Sequence, residues 1–248
     1  MTSEPLPAAT LVIFRDGLGA PELLMVERAK AMAFAGGALV FPGGRIDPGD
    51  HALAAALGTD DDGAARIAAI RETIEEAGLP IGLRPIPDAP SLAAMRAGLH
   101  AGTSFGEVLA TAGTSLDLDA LHYFARWRPA HAQMRIFDTR FYLAKLPNDA
   151  PGAVVDGTEN VRLFWATAAQ VLADADAGRA TIIFPTRRNL ERLACYASFH
   201  EATADAAAHP IRTITPFVEE RAEGAFLCIP DDLGYPVTAE RMTSAMRG

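Results

Sequence analysis

Residues 71–79 read Arg-Glu-Thr-Ile-Glu-Glu-Ala-Gly-Leu, and the rest of the chain is interpreted around them. The three carboxylates of this stretch, Glu72, Glu75 and Glu76, stand at positions i, i+3 and i+4, so a helix places them on one face. The opposite face is apolar at helical spacing: Ile67, Ile70, Ile74 and Ala77. Gly78 suits the position that ends such a helix. The pattern predicts an amphipathic helix with an acidic face.

The acidic face indicates a metal site. Like charges three and four residues apart on a helix repel by roughly a few tenths of a kcal/mol per pair in water, and by more where solvent is excluded, unless a cation neutralises them. Oxygen ligands select hard cations, so Mg²⁺ or Mn²⁺ is the expected ion. The alternative is a solvated acidic face on which Arg71 and Glu75 form an i,i+4 ion pair.

Composition restricts the class of protein. A chain of 248 residues with an apolar fraction of 50% suits one large domain with its own core. The net charge of −9 argues against nucleic acid as a partner, because coating it needs an excess of Lys and Arg. Cys195 and Cys228 stand far apart outside any C-x-x-C pattern, so neither a disulfide framework nor a zinc knuckle is predicted. Without a signal-like N-terminus or a membrane-length apolar stretch, the sequence predicts a soluble, cytoplasmic protein with no membrane partner.

The first part of the chain predicts a hairpin and a glycine turn. Residues 8–15 and 22–28 are apolar, β-leaning runs separated by Asp-Gly-Leu-Gly, which favours a hairpin. A short strand over 38–41 ends at Pro42-Gly43-Gly44. Adjacent glycines allow the backbone to approach a ligand closely, although an ordinary turn has the same composition.

The remaining elements are assigned from hydrophobic period and turn residues. Helices are predicted at 50–57, 64–77, 91–99, 104–112, 166–177 and 186–200, the last with Thr186 as N-cap. Strands are predicted at 80–83, 121–127, 137–146, 161–165, 211–214 and 225–229. Residues 58–63 are predicted as a solvated loop, and residues from about 201 to 248 as an extension that covers the domain rather than as a second domain.

Residues 102–106 match the G-x-S-x-G nucleophile elbow. An elbow must follow a buried strand, whereas the preceding residues predict a helix. A nucleophilic Ser104 is therefore disfavoured.

Gly44, Asp50 and residues 71–79 together resemble the Nudix box, G-x5-E-x7-R-E-U-x-E-E-x-G-U, in which U is apolar. Gly44 opens the box and Asp50 stands where the first Glu is expected. The remaining positions are filled by Arg71, Glu72, Glu75, Glu76, Gly78 and Leu79. The R-E-x-x-E-E-x-G half is highly specific, so the chain looks like a Nudix hydrolase.

The sequence departs from the common box at three points. Asp50 replaces Glu, Thr73 stands at a usually apolar position, and twenty residues (51–70) separate Asp50 from Arg71 where the box has seven. An insertion at this point resembles the peroxisomal acyl-CoA diphosphatase-like branch of the family and its bacterial relatives. Further segments that look similar to that branch are 28–44, 135–141, 185–190 and 229–236.

The resemblance implies a fold and a metal site. The fold class is α/β, an α/β/α sandwich around a mixed β-sheet, with extra helices and a C-terminal extension. The chain is then one domain, 1–248, whose box is divided between 43–50 and 71–79 by the 51–70 insertion. By this resemblance Glu75 and Glu76 are expected to bind Mg²⁺ or Mn²⁺ directly, and Glu72 to bind or orient the ion. The Gly43 carbonyl is expected to join them, and Arg71 to hold a box glutamate in place.

Residues outside the helix complete the expected site. Glu159 is the candidate for an additional carboxylate or base, with an ordinary surface role as the alternative. The residues expected to contact substrate are Arg28, Gly44, Arg140 and Arg187. For Arg140 the alternative is an ion pair with Asp138.

The implied reaction is cleavage of a diphosphate bond in a small molecule linked to a nucleoside diphosphate. The branch favours CoA or acyl-CoA, with ADP-ribose, NADH and nucleoside triphosphates as alternatives. Some CoA-cleaving members carry Thr and two Arg where this chain has Met25, Glu27 and Ala33. The alternative function is a non-catalytic Nudix module that binds a nucleotide, and a homodimer is a family-level expectation.

Overall fold

A mixed β-sheet forms the centre of the fold. The structure, a computed structural model, describes residues 4–32, 35–129, 136–157 and 159–245, so Ala33 and Arg135 lie outside the described residues. The first half contains β1 (Leu6–Arg15), β2 (Glu22–Arg28), β3 (Leu39–Val40), β4 (Gly43–Arg45), α1 (Pro48–Ala56), α2 (Asp61–Ala77), β5 (Leu83–Arg84), α3 (Ala89–His100), α4 (Phe105–Ala112), β6 (Ser115–Leu116) and β7 (His122–Trp127). The second half contains β8 (Phe137–Lys145), β9 (Asn160–Thr167), α5 (Ala168–Asp176), α6 (Phe184–Leu193), α7 (Phe199–Ala208), β10 (Thr213–Ile214), β11 (Phe217–Arg221), β12 (Gly224–Cys228), β13 (Ala239–Arg241) and α8 (Met242–Ala245).

The central sheet has the order β10-β7-β8-β1-β2-β3, with β4 added to β1 and β9 added to β2. β1 and β8 run parallel over nine residue pairs, from Leu6–Phe137 to Phe14–Lys145. The predicted hairpin is confirmed, since β1 and β2 pair antiparallel. A parallel pair at the centre of the sheet needs both faces covered, which agrees with the nearly continuous apolar run of β1.

Two hydrophobic clusters cover the two faces of the sheet. On β1, Leu11 and Ile13 point into the cluster that contains the apolar face of α2. Val12 and Phe14 point into the cluster on the other face, which contains Leu190 of α6. The alternation follows from the two-residue period of a strand. The molecule is therefore the predicted α/β/α sandwich, with α1 to α4 on one side of the sheet and α5 to α7 on the other.

α2 carries the predicted acidic stretch and has well-defined ends. Its N-cap is Asp60, whose side chain accepts the backbone N–H groups of Asp62 and Gly63. The helix thus begins three residues before the predicted start at 64, and the prediction of a loop over 58–63 is wrong for its last three residues. Gly78 ends the helix with φ 62°, and its N–H donates to the Ile74 carbonyl at 3.0 Å, as predicted.

Two other helix starts were tested by the structure. Ser104 is the N-cap of α4 and directly follows α3, so it is no nucleophile elbow. The prediction of Thr186 as an N-cap is wrong, because α6 begins at Phe184 after Ile183. Pro185 lies in the first turn, where a missing N–H costs nothing, and Thr186 is already inside the helix. The predicted helix 186–200 is in fact two helices, α6 and α7, of which the second is capped by Ser198.

The C-terminal segment contributes to the second cluster. Ile229, Leu233 and Tyr235 are buried there with Leu190 of α6. Tyr235 also donates its hydroxyl to Asn189 at 2.8 Å. β11, β12 and β13 form a separate three-stranded antiparallel sheet. Within the described residues, no helix is both long and apolar enough to cross a membrane.

Candidate active site

The last two turns of α2 present the three glutamates predicted from the sequence. Glu76 is 5% exposed, and the side chains of Glu72 and Glu75 are 16% and 24% exposed. A solvated acidic face would leave all three in water, so that part of the alternative is wrong, whereas its i,i+4 ion pair between Arg71 and Glu75 is present at 3.2 Å. Arg96 of α3 donates to the Glu75 carbonyl at 2.8 Å and to the Glu76 carbonyl at 3.2 Å. These bonds fix the end of the helix that carries the glutamates.

Arg71 is the hub that holds this end of α2 together. Its Nη1 donates to Glu72 Oε1 at 2.9 Å and to Glu75 Oε1 at 3.2 Å. Its Nη2 also donates to the Arg45 carbonyl at 3.0 Å. With two further bonds to Asp50, the guanidinium makes five hydrogen bonds, which equals its number of N–H donors. Burial lowers the pKa of Arg71, but its acidic partners outweigh that effect, so the group is a permanent buried cation.

Asp50 meets Arg71 in a buried bidentate pair, although twenty residues lie between them. Asp50 is 1% exposed and accepts from Arg71 Nε at 3.0 Å and Nη2 at 2.9 Å. Its Oδ2 also accepts the backbone N–H of Asp47 at 2.8 Å. The intervening residues 51–70 complete α1 and form the first part of α2, so they lengthen two helices without separating the pair. The Asp50–Arg71 pair therefore joins the two separated parts of the box, 43–50 and 71–79.

Gly43 and Gly44, the first two residues of β4, lie against the same glutamates. The Gly43 N–H donates to Glu76 Oε2 at 2.8 Å. Gly43 has φ 153°, and a Cβ there would lie 2.4 Å from the Ala9 carbonyl oxygen. A Cβ on Gly44 would lie 2.5 Å from the Glu72 carboxylate. Gly43 therefore allows β4 to lie close to β1, and Gly44 leaves room for the Glu72 carboxylate of α2. Both glycines belong to strand β4 and not to an ordinary turn.

Burial disfavours the ionised form of the Glu72 and Glu76 carboxylates, and repulsion from the neighbouring glutamates adds to this effect at Glu72. Burial raises the pKa of Glu72 to about 8, and the charges of Glu76 and Glu75 add to this rise while Arg71 opposes it. Burial raises the pKa of Glu76 to about 7, against the hydrogen bonds from Asn160 and Gly43. An additional positive charge would stabilise the ionised form of both groups.

The donor set fits a hard divalent cation. Among residues 4–32, 35–129, 136–157 and 159–245, no group of three or more His, Cys, Asp and Glu side chains is arranged so that it could hold a metal ion without side-chain rearrangement. However, Arg71 contacts Glu72 and Glu75 through their Oε1 atoms, so the Oε2 atoms of these glutamates remain as possible metal ligands on one face of α2. Such a set matches ions that keep part of their water shell and take a few carboxylates from the protein.

Arg28 and Glu159 lie beside the glutamates. Arg28 ends β2, its side chain is 15% exposed, and its charge acts on Glu76. Its buried Nε has no hydrogen-bond partner among the described residues. Glu159 is 61% exposed, and its carboxylate lies 3.9 Å from Arg28 Nη2. Arg28 thus brings an uncommitted donor to the site, and Glu159 lies at its exposed side.

Arg140 and Arg187 are not brought to the glutamates. Arg140 donates to the carbonyl and the carboxylate of Asp61, at the far end of α2 and about 20 Å along the helix from Glu76. The alternative pairing of Arg140 with Asp138 is wrong as well, because Asp138 receives both bonds from Arg126. Arg187 belongs to α6 on the opposite face of the sheet and donates to Asp176 at 2.8 Å.

Sequence reasoning missed Asn160. Its Nδ2 donates to Glu76 Oε1 at 3.0 Å and to Asp156 Oδ2 at 3.1 Å, and the residue is fully buried. The search for a further acidic group stopped at its neighbour Glu159. The signal that could have found it is a polar residue at the start of a predicted strand, a position that needs a partner when it is buried.

The fold and the site agree with comparisons to known proteins. The chain is 30% identical to a NUDIX hydrolase from Alicyclobacillus acidocaldarius of known crystal structure, with a TM-score of 0.73 over 82% of this chain and 97% of that one. The chain belongs to the Nudix hydrolase family. Nudix hydrolases generally use divalent metal ions. No family model matches the sequence.

A second Nudix relative matches over a smaller share of its length. The chain is 30% identical over 174 residues to "Putative nudix hydrolase 7" of Caenorhabditis elegans, which covers 69% of this chain and 55% of that protein. This chain therefore spans just over half the length of that curated relative. The Nudix assignment predicted from the divided box is confirmed at the level of the family.

Proposed function

We propose that this protein hydrolyses the diphosphate bond of a small molecule linked to a nucleoside diphosphate, with Mg²⁺ or Mn²⁺ as cofactor. The observation that carries the proposal is the Arg71 hub, which holds Glu72 and Glu75 on one face of α2 beside the buried Glu76. Without a cation this arrangement is costly, since burial alone raises the pKa values of two of the three carboxylates.

Glu72, Glu75, Glu76 and the Gly43 carbonyl would hold the ion. A divalent cation at such a site withdraws charge from a bound diphosphate and lowers the pKa of its water. The chain's own contribution is positioning. The Gly43 N–H and Asn160 fix the two oxygens of Glu76, while Arg71 fixes one oxygen each of Glu72 and Glu75.

Arg28 is the residue that we assign to a substrate phosphate. Its Nε, which has no acceptor among the residues that the structure describes, supports the assignment, because a buried donor without an acceptor is stabilised when a phosphate oxygen arrives. Gly44 lets the β4 backbone come close to the same region. Glu159 is proposed as the further carboxylate, acting from the exposed side of the site.

For the substrate we propose CoA or acyl-CoA ahead of ADP-ribose, NADH and nucleoside triphosphates. This choice rests on the resemblance to the acyl-CoA diphosphatase-like branch. Of the three positions that depart from some CoA-cleaving members, Met25 is fully buried in the core and Glu27 lies at the β2–β9 pairing, whereas Ala33 falls outside the described residues.

The test is a turnover screen of CoA, acetyl-CoA, ADP-ribose, NADH and ATP, each with Mg²⁺ or Mn²⁺ and with EDTA. We expect metal-dependent release of two phosphate-containing products from at least one diphosphate, with CoA compounds cleaved fastest. Tight nucleotide binding without turnover under every condition would instead identify a non-catalytic module and overturn the proposal. Cleavage of ADP-ribose alone would retain the reaction and replace the substrate.

A further inference from the structure

A β-bulge aims Asn160 at the catalytic helix. β9 pairs with β2, but the register shifts between Glu27 and Arg28, which face Arg162 and Asn160, so Val161 is an extra residue. Leu163 and Trp165 of β9 pack against the cluster on the α2 side of the sheet. Strict alternation would continue with Val161 on that side and turn Asn160 away. With the extra residue, Asn160 points at α2 and Val161 is 57% exposed.

The orientation of the Asn160 amide is forced by its neighbours. Its NH₂ group donates to one carboxylate on each side, Glu76 Oε1 at 3.0 Å and Asp156 Oδ2 at 3.1 Å. A carboxylate only accepts, so the flipped amide would set its oxygen against two acceptors. Asp156 also accepts the Asn160 backbone N–H at 3.0 Å, which ties the two residues together. Asp156 thus determines which end of the amide meets Glu76.

The Glu76 carboxylate is thereby held on both oxygens. Oε2 accepts the Gly43 N–H at 2.8 Å, and Oε1 accepts from Asn160. Two donors on opposite oxygens leave the carboxylate little freedom to rotate.

Core packing does not explain this amide. Asn160 is fully buried, and within the described parts of the chain its Oδ1 has no hydrogen-bond partner. Leaving a buried polar atom unsatisfied is destabilising, whereas an apolar side chain of the same shape would avoid that penalty. The bulge and the unsatisfied atom are both accounted for if the NH₂ group is needed at Glu76.

We infer that Asn160 is a positioning residue for the reaction, which fixes the carboxylate of Glu76, and that Asp156 orients Asn160. The inference rests on the proposed function, because Glu76 is there a metal ligand. Neither residue touches substrate in this account; both act through Glu76.

The main test variant is Asn160→Leu, which keeps the shape of the side chain and removes both donors. Asn148→Leu, on an exposed turn, is the matched control. Binding of Mn²⁺ alone is measured by isothermal titration calorimetry, and kcat and KM are measured with the best substrate of the screen. We expect Asn160→Leu to weaken Mn²⁺ binding and to lower kcat by about 10- to 100-fold, with KM changed less than about threefold. The control should match the wild type.

A second variant keeps the test decisive if Asn160→Leu unfolds. Asp156→Asn retains the Asn160 side chain but allows its amide to flip, and Asp149→Asn on an exposed loop is its control. Asp156→Asn should change Mn²⁺ affinity and kcat in the same direction by a smaller factor. The inference is overturned if the folded variants keep wild-type Mn²⁺ affinity and kcat, whether or not their Tm falls. If the wild type binds Mn²⁺ but cleaves nothing, the proposed function fails while the effect on Mn²⁺ affinity still tests Asn160.

Discussion

Replacing Asp50 by Asn should destabilise the protein more than any other single loss of charge near the site. Asp50 accepts three hydrogen bonds, two from Arg71 and one from the backbone of Asp47, and it is 1% exposed. An Asn has one acceptor oxygen, and its NH₂ group would face an N–H donor of Arg71 or Asp47. Breaking one side of a buried ion pair costs about 3–5 kcal/mol. For a chain of this size that corresponds to a Tm lower by roughly 6–20 °C.

The measurement is equilibrium unfolding in urea, in metal-free buffer, with thermal unfolding as a second readout. Asp47→Asn is the control, because it removes a carboxylate that is 53% exposed and 3.8 Å from the same guanidinium. Asp47 is the N-cap residue of α1, and Asn is as good an N-cap as Asp, so the control should lose no more than about 1 kcal/mol. A loss below about 1 kcal/mol in Asp50→Asn would refute the view that the Asp50–Arg71 pair holds the divided box together.

Two further predictions separate activity from stability. Gly44→Ala places a Cβ 2.5 Å from the Glu72 carboxylate, so kcat should fall about tenfold or more with little change in Tm, whereas Gly49→Ala, with no atom in the way, should leave both unchanged. Burial raises the pKa of Glu191 to about 7 from 4.5. The folded state therefore binds the extra proton, and this group's contribution to stability is lost as the pH rises through about 7. Between about pH 4.5 and pH 8, the free energy of unfolding in urea should fall by about 1–3 kcal/mol less in Glu191→Gln than in the wild type. The control, Glu220→Gln at an exposed position, should follow the wild type. Equal losses in all three proteins would disprove the raised pKa of Glu191.

The catalytic helix could be predicted because its signals are local. The apolar spacing of α2, its carboxylates and the Gly78 stop all lie within one stretch of sequence. Its start was missed by three residues because consecutive aspartates look like a solvated loop, although Asp60 is an N-cap and Asp61 already belongs to the helix. The family resemblance assigned Asp50 and Arg71 to one motif, but it did not predict the ion pair between them, which no local period encodes.

Contacts between residues far apart in the sequence could not be predicted, because a single sequence does not reveal which strands are neighbours. Arg140 lies on β8 and meets Asp61, 79 residues away, only because β8 runs beside β1 and so passes under the start of α2. The direction of the Asn160 side chain depends on a β-bulge, because a shift of one residue turns a side chain to the other face of a sheet. Charge alone drew attention to Glu159, while the buried partner of Glu76 is its uncharged neighbour.

Part of the separate C-terminal sheet was also not predicted. The exposed strand β11 and the short strand β13 carry little apolar alternation, so their sequences do not read as strands. By contrast, Ile229, Leu233 and Tyr235 are apolar residues and are buried against the α6 side, while the covering role of this segment stays a prediction.

We propose that the glutamates of α2 hold a divalent cation for diphosphate hydrolysis, and the decisive variant for this role is Glu76→Gln. Gln keeps one acceptor for Gly43 or Asn160 and removes a carboxylate whose ionisation is disfavoured by burial, so the fold should persist. With the best substrate of the screen and saturating Mg²⁺ or Mn²⁺, we predict that kcat falls by more than about 100-fold, beyond the effect typical of outer-shell partners. The control, Glu220→Gln, should keep wild-type turnover. Wild-type kcat in folded Glu76→Gln would contradict the account.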